Sequence, residues 1–95
     1  MVRHIVLWRL KSPASAAFAA IEQALRAQLG RIPGLTKVEI GRAFNGGRRA
    51  VDFALVCEFE TREALCAYHR HPAHLETRAV VDPLVAEHWI ADYEA

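Results

Sequence analysis

Two β-strand-like segments that are apolar on both faces constrain the fold of this chain more than any other feature. One spans Val2–Leu10 and the other residues 51–59. Side chains alternate across a strand, so a segment that is apolar on both sides fits between two layers, in the middle of a sheet. The alternation predicts a first face of His4, Val6, Trp8 and Leu10, opposite Ile5 and Leu7.

A helical stripe follows the first strand. Apolar residues at spacings of three and four predict a helix from Pro13 to about Leu29, with Ser12 as its cap and Gly30 as its stop. The buried stripe should hold Phe18, Ile21, Leu25 and Leu29. After a turn at Gly34, residues 35–43 alternate as a strand whose buried side should carry Thr36, Val38 and Ile40.

The second half of the chain repeats this order. Asn45-Gly46-Gly47 predicts a hairpin loop before the strand at residues 51–59. Thr61 can cap a second helical region, which Pro72 divides, and its later segment spans residues 72–81. Asp82-Pro83 ends that segment. The last strand, residues 85–93, should place Val85, Trp89 and Tyr93 opposite His88 and Ile90.

The order β-α-β-β-α-β predicts one α+β domain over residues 1–95 with a ferredoxin-like, four-stranded, antiparallel-type sheet. By this reasoning the first and third strands are central and parallel to each other, and the helices cover one sheet face. The other face stays apolar, and 53% of the residues are hydrophobic. A second copy of the chain is the simplest cover, which predicts a homodimer through the sheet face, as a dimeric α/β barrel.

Charge and composition exclude several partners. The chain has 12 basic and 11 acidic residues, so we expect no nucleic-acid partner, and no run approaches the ~18–20 apolar residues of a membrane span. Cys57 and Cys66 form no CxxC pattern. We interpret them as reduced thiols of a soluble cytoplasmic protein, with a disulfide as the alternative.

His74 and Tyr68 are the candidate catalytic pair. An imidazole can take a proton next to a carbonyl group at neutral pH, and a nearby phenol can donate to the oxygen that becomes negative. The alternative is structural: His71 caps the segment that Pro72 begins, and His74 bonds a backbone carbonyl.

Further candidates would line a ligand pocket. His4 and His88 would lie on neighbouring strands and could contact a polar ligand atom, or be histidines satisfied by internal hydrogen bonds. Small-molecule pockets are mostly apolar, whereas aromatic residues at strand and helix spacing also suit a plain core. The substrate-binding set comprises His4, Trp8, Leu25, Phe53, Leu65, His71 and His88.

No cofactor or metal is predicted. His71 and His74 share a helix face but His69 does not, and two imidazoles without a convergent carboxylate make a poor metal site. The sequence has no phosphate-binding or dinucleotide-binding glycine motif and no nucleophile-elbow motif.

Three segments resemble one family. They are His4-Ile5-Val6-Leu7-Trp8-Arg9-Leu10, the Tyr-x-x-His-Pro-x-His segment from Tyr68 to His74, and Asp82-Pro83-Leu84-Val85 with a terminal Asp92-Tyr93. Together they are similar to the stress-responsive A/B barrel domain (Dabb) family over essentially the whole chain. The resemblance implies a dimer whose sheets face each other.

The chain is also distantly similar to olivetolic acid cyclase, a cofactor-free polyketide cyclase. That similarity implies His74 as base, Tyr68 as its helper and His4 in the pocket. Phe53 replaces a histidine of the cyclase, and His88 offers another imidazole.

Three functions stay open. The first is a stress-responsive dimer that binds a small apolar or carbonyl-bearing ligand without a defined reaction. The second is a cofactor-independent cyclase or lyase with a histidine base. The third is a cofactor-free monooxygenase of the related dimeric barrel type. A cavity of several hundred Å³ reached by His74 and Tyr68 would favour catalysis, and a filled barrel would favour a structural role.

Overall fold

The computed structural model describes residues 1–12 and 15–95, and these residues form one four-stranded sheet with helices on one side. A 3-10 turn, Asp82–Leu84, precedes the last strand. The strands are β1 (Val2–Leu10), β2 (Leu35–Arg42), β3 (Phe53–Phe59) and β4 (Val85–Glu94), and the helices are α1 (Ser15–Arg26), α2 (Arg62–Tyr68) and α3 (Pro72–Val81).

The sheet has the order β2-β3-β1-β4, so β1 and β3 are the central strands, as predicted. The prediction that these two strands run parallel is wrong, because every neighbouring pair is antiparallel. Each helical crossover skips one strand position, so β1 is parallel to β2 and the strand between them runs the opposite way. This is the ferredoxin-like arrangement, with an antiparallel sheet.

The core lies between the helices and one face of the two central strands. On β1 this face carries His4, Val6, Trp8 and Leu10, all buried, as the alternation predicted. On β3 it carries Phe53, Leu55, Cys57 and Phe59, which are also buried. The strand register sets these two rows side by side, for example His4 opposite Cys57.

The end of α1 differs from the prediction. The helix ends at Arg26, and the next residues form a tighter turn in which the Gln28 and Leu29 amides bond to carbonyls three residues back. This tightening buries Gln28 and leaves Leu29 48% exposed, so Leu29 is not part of the buried stripe. At the other end, the predicted cap involves Pro13, which lies outside the described residues.

The caps of α2 and α3 follow the sequence signals. The Thr61 hydroxyl accepts a hydrogen bond from the Ala64 amide at 3.1 Å. His71 Nδ1 accepts from the Ala73 amide at 3.0 Å, and Pro72 occupies the first turn of α3. Both caps satisfy amides that have no partner within their helix.

Two register shifts alter which residues face the helices. In β2 a shift between Leu35 and Lys37 exposes Thr36, which was predicted to be buried. In β4 a shift opposite Arg9 and Leu10 sets Val85 against Leu10, on the helix side of the sheet. Val85 therefore does not share a face with Trp89 and Tyr93, because a bulge interrupts the alternation.

The second face of the sheet is not covered by the helices of the chain. Leu7, Trp89 and Tyr93 lie on this outer face and are 37–46% exposed. The register sets Leu7 against Trp89, with Ala54 on the other side of Leu7. Among the helices of the described residues, none is long and apolar enough to cross a membrane.

Candidate functional site

A cavity of about 480 Å³ lies between the helix side of the sheet and α3. Its size is within the range of small-molecule sites. One part of its wall is polar and aromatic, and the rest is mainly apolar. The polar and aromatic members include His4, Tyr68, His69, His74, Thr77 and His88, and the apolar members include Val6, Trp8, Leu25, Leu55, Val81, Val85 and Ile90.

His74, on the first turn of α3, bonds to the buried side chain of Gln28. The distance from His74 Nδ1 to Gln28 Oε1 is 2.9 Å. An amide oxygen only accepts hydrogen bonds, so Nδ1 carries the proton and the neutral ring keeps its lone pair on Nε2. Of the structural alternative, the cap by His71 and the helix start at Pro72 are present, whereas His74 bonds a side chain and not a backbone carbonyl.

The surroundings of His74 favour its neutral form. Burial lowers the pKa of His74 from 6.5 to about 4, and the Arg78 guanidinium and any positive charge on His69 act in the same direction. The ring is thus uncharged at pH 7 and can accept a proton or a hydrogen bond.

Tyr68, at the end of α2, lies directly against His74. Their ring centroids are 3.9 Å apart. Burial raises the pKa of the Tyr68 phenol, and a hydrogen bond with the Gln28 side chain only partly opposes this. The phenol therefore stays protonated at neutral pH and is available as a donor.

His4 is a buried imidazole at the cavity, whereas His74 is partly buried. Its Nδ1 lies 2.5 Å from Oδ1 of Asp92, the residue opposite it on β4. The Asp92 carboxylate accepts the Nδ1 proton and fixes the ring orientation. The ring meets Tyr68 edge-on, with centroids 5.9 Å apart.

His69 connects the two imidazoles, although the sequence analysis set it aside. Its ring centroid is 5.8 Å from that of His4 and 6.1 Å from that of His74. Partial burial lowers the pKa of His69, and a positive charge on His4 would lower it further. The Tyr-His-Arg-His run contains His69, but helical spacing does not place it on the same face as His74. His69 reaches the cavity because it follows the last residue of α2 and so lies outside the helix.

The structure brings together six of the predicted site residues and separates three others from the cavity. His74, Tyr68, His4, Trp8, Leu25 and His88 all line it. Phe53 is buried in the core behind Trp8, stacked on its ring at 4.6 Å, and Leu65 is also a core residue. His71 serves as the N-cap of α3, so its Nδ1 is engaged by the backbone.

The polar wall can supply a proton acceptor and a hydrogen-bond donor, but its side chains are not grouped as metal ligands. In residues 1–12 and 15–95, no group of three or more histidine, cysteine or acidic side chains is placed to hold a metal ion. The neutral imidazole of His74, with its lone pair on Nε2, stands beside one protonated phenol. This set can accept a proton from carbon and donate a hydrogen bond to oxygen.

The comparisons with known proteins agree with this architecture. The sequence matches the Stress responsive A/B Barrel Domain, Dabb, over residues 2–95. No curated protein matches the sequence. A dimeric protein of ferredoxin-like fold from Bacteroides fragilis is 25% identical, with a TM-score of 0.85, and the match covers 99% of this chain and 95% of that one.

Two further solved structures share the fold. A Dabb family protein with a ferredoxin-like fold from Mesorhizobium loti is 25% identical, with a TM-score of 0.83, covering 99% and 95% of the two chains. The hydroxynitrile lyase of Passiflora edulis shares the fold at 20% identity and a TM-score of 0.80, covering 97% and 90%. The match over residues 2–95 decides the family: this chain belongs to the stress responsive A/B barrel domain family.

Proposed function

We propose that this protein is a cofactor-independent acid–base enzyme of the cyclase or lyase type, acting on a small carbonyl-bearing substrate with an apolar tail. One observation carries the proposal: a cavity of about 480 Å³ is lined by His74 and Tyr68, whose rings lie 3.9 Å apart. This is the arrangement that favours catalysis over a filled, structural barrel.

The proposed step is proton abstraction next to the carbonyl. Nε2 of His74 takes the proton from carbon and becomes imidazolium. The electron pair of the broken C–H bond forms a C=C bond, and the π pair of the carbonyl moves to its oxygen, which gives an enolate. The Tyr68 hydroxyl donates a hydrogen bond to this oxygen. The apolar wall around Trp8 and Leu25 would hold the tail of the substrate.

A second candidate function is ligand binding without a reaction. It is favoured by the low pKa of His74, about 4, because a weak base removes protons from carbon slowly. In this case the same residues bind a carbonyl-bearing ligand, and Tyr68 donates to its oxygen.

We also propose that the protein works as a homodimer in the cytoplasm. The exposed apolar outer face, with Leu7, Trp89 and Tyr93, supports assembly with a second copy. The dimeric relative from Bacteroides fragilis supports the same assembly. For the cytoplasm, the support is the placement of Cys57 and Cys66 as free thiols on separate elements.

The test uses nonan-2-one, a ketone with an apolar tail, in deuterated water. Proton NMR measures how fast deuterium replaces hydrogen at the carbons beside the carbonyl. We expect faster exchange with the protein than without it, and loss of that acceleration in His74→Ala, because the base is removed. His71→Asn is the matched control, since it changes a histidine outside the cavity and keeps a capping side chain.

The outcomes separate the two candidates. If nonan-2-one shifts the amide signals around the cavity but its exchange is not accelerated, the protein binds the ketone without catalysis. That result would contradict the enzyme proposal and support the binding protein. Neither binding nor exchange would contradict both. Circular dichroism establishes that each variant is folded.

A further inference from the structure

Gln28 is a buried polar residue that the sequence patterns did not single out. It lies in the turn after α1, and only 1% of its surface is exposed. A buried amide is costly unless its donors and its acceptor have partners. The partners of Gln28 therefore indicate why an amide stands in this apolar surrounding.

The two ends of the Gln28 amide have different partners. Its nitrogen donates to the Leu25 carbonyl at 3.4 Å, and its oxygen lies 2.9 Å from His74 Nδ1. The Tyr68 phenol is a further hydrogen-bond partner of this side chain. A carbonyl cannot donate, so the nitrogen must face Leu25 and the oxygen must face His74. The Leu25 carbonyl at the end of α1 thereby determines which ring nitrogen of His74 carries the proton.

We infer that Gln28 is the positioning residue of this site: it holds His74 as the Nδ1–H tautomer and makes Nε2 the proton acceptor. The inference rests on the proposed function for the catalytic use of Nε2. Gln28 itself needs no contact with the substrate, because it acts through the orientation and the tautomer of the imidazole.

The experiment reads the tautomer directly in the intact protein. Histidine side chains are labelled with ¹⁵N, and long-range ¹H–¹⁵N spectra at pH 7 distinguish a protonated from an unprotonated ring nitrogen. The His74 signals are those that disappear in His74→Ala. We expect a protonated Nδ1 in the wild type, and a shift toward the Nε2–H tautomer in Gln28→Leu.

Gln28→Glu tests the same contact in the opposite direction. A carboxylate keeps the acceptor for Nδ1 and adds a negative charge, so the pKa of His74 should rise by about 1–3 pH units. Gln23→Leu is the matched control, because Gln23 is an exposed glutamine of α1. It should leave the His74 signals unchanged.

Two results would overturn the inference. One is an Nε2–H tautomer of His74 in the wild type, and the other is a folded Gln28→Leu variant that keeps Nδ1–H. If Gln28→Leu does not fold, an unchanged His74 pKa in Gln28→Glu overturns it instead. Because these spectra need no substrate, failure of nonan-2-one exchange would remove the proposed function and leave the positioning role of Gln28 standing.

Discussion

At the residue scale, His4 and His74 differ in the acceptor that holds the Nδ1 proton, and this acceptor affects the chemistry of each ring. His74 faces a neutral amide and His4 faces a carboxylate. Two chemically identical rings are thereby placed in different electrostatic surroundings within one cavity. Such a difference is how one site can hold groups with separate roles in proton transfer.

The lowered pKa of His74 predicts how its contribution to stability depends on pH. Between pH 6.5 and about 4 the unfolded chain binds a proton at His74 and the folded chain does not, so falling pH favours unfolding. Urea unfolding of the wild type should therefore lose stability more steeply over this window than His74→Ala. Above pH 6.5 and below pH 4 the two slopes should agree. A constant difference across the window would show that His74 titrates normally.

Asp92 predicts a graded response to substitution. Asp92→Ala leaves the Nδ1 proton of buried His4 without its acceptor, which we expect to lower the free energy of unfolding by about 1–3 kcal/mol. Asp92→Asn keeps an acceptor oxygen and should cost less. Urea unfolding at pH 7 measures both changes, and equal losses in the two variants would contradict the role of the hydrogen bond.

Sequence reasoning found three of the four histidines that line the cavity but not the residues that hold them. His4, His74 and Tyr68 stand out by their type and by the motif that contains two of them. Gln28 does not stand out, and Asp92 appears only in the terminal Asp92-Tyr93 of the family resemblance. Their pairing with the imidazoles is not visible, because they are 46 and 88 residues away in sequence from them. Local periodicity does not specify such distant pairs, and the roles of the cavity residues stay predictions.

At the element scale, the strands and the later helices follow the sequence signals closely. The bounds of β1 and α3 match the prediction, since alternation and an N-cap followed by proline are local signals. The errors lie where a local irregularity intervenes: the bulge that moves Val85 and the tight turn that exposes Leu29. A period of two or 3.6 residues contains no information on where one residue is added.

The turn before β2 predicts a position that requires glycine. Gly34 has a φ of +82°, and a Cβ built on it would lie 2.5 Å from the Ala64 Cβ on α2. Gly34→Ala should therefore lower the free energy of unfolding by about 1–2 kcal/mol, the cost of a left-handed alanine. The collision with Ala64 should lower it further. Thermal or urea unfolding measures the loss.

Gly30 is the matched control for Gly34. It has a similar φ of +88° but open space around the position of a Cβ, so Gly30→Ala should show the backbone cost alone. The double variant Gly34→Ala with Ala64→Gly should lose less stability than the sum of the two single variants, because it removes the Cβ that the new alanine meets. Equal losses at Gly30 and Gly34 would mean that α2 moves away from the turn without cost.

At the scale of the whole molecule, the outer face predicts the oligomeric state. Light scattering at micromolar concentration should give twice the chain mass of 10.6 kDa, about 21 kDa. Leu7→Glu should shift the mass toward that of the monomer, because a charge in an apolar interface is costly. Leu75→Glu, at an exposed leucine of α3, should not. A monomeric wild type would remove the dimer and the barrel together.

The alternation of β4 divides two tasks between neighbouring residues of one strand. His88 and Ile90 line the cavity, whereas Trp89 between them lies on the outer face. A mutation at 88 or 90 can therefore alter the lining of the cavity and leave the outer face of the sheet unchanged. A mutation at 89 can alter the outer face and leave the cavity unchanged. In the proposed dimer, this division would let a lineage change the ligand of the cavity while the contact between the two copies is conserved.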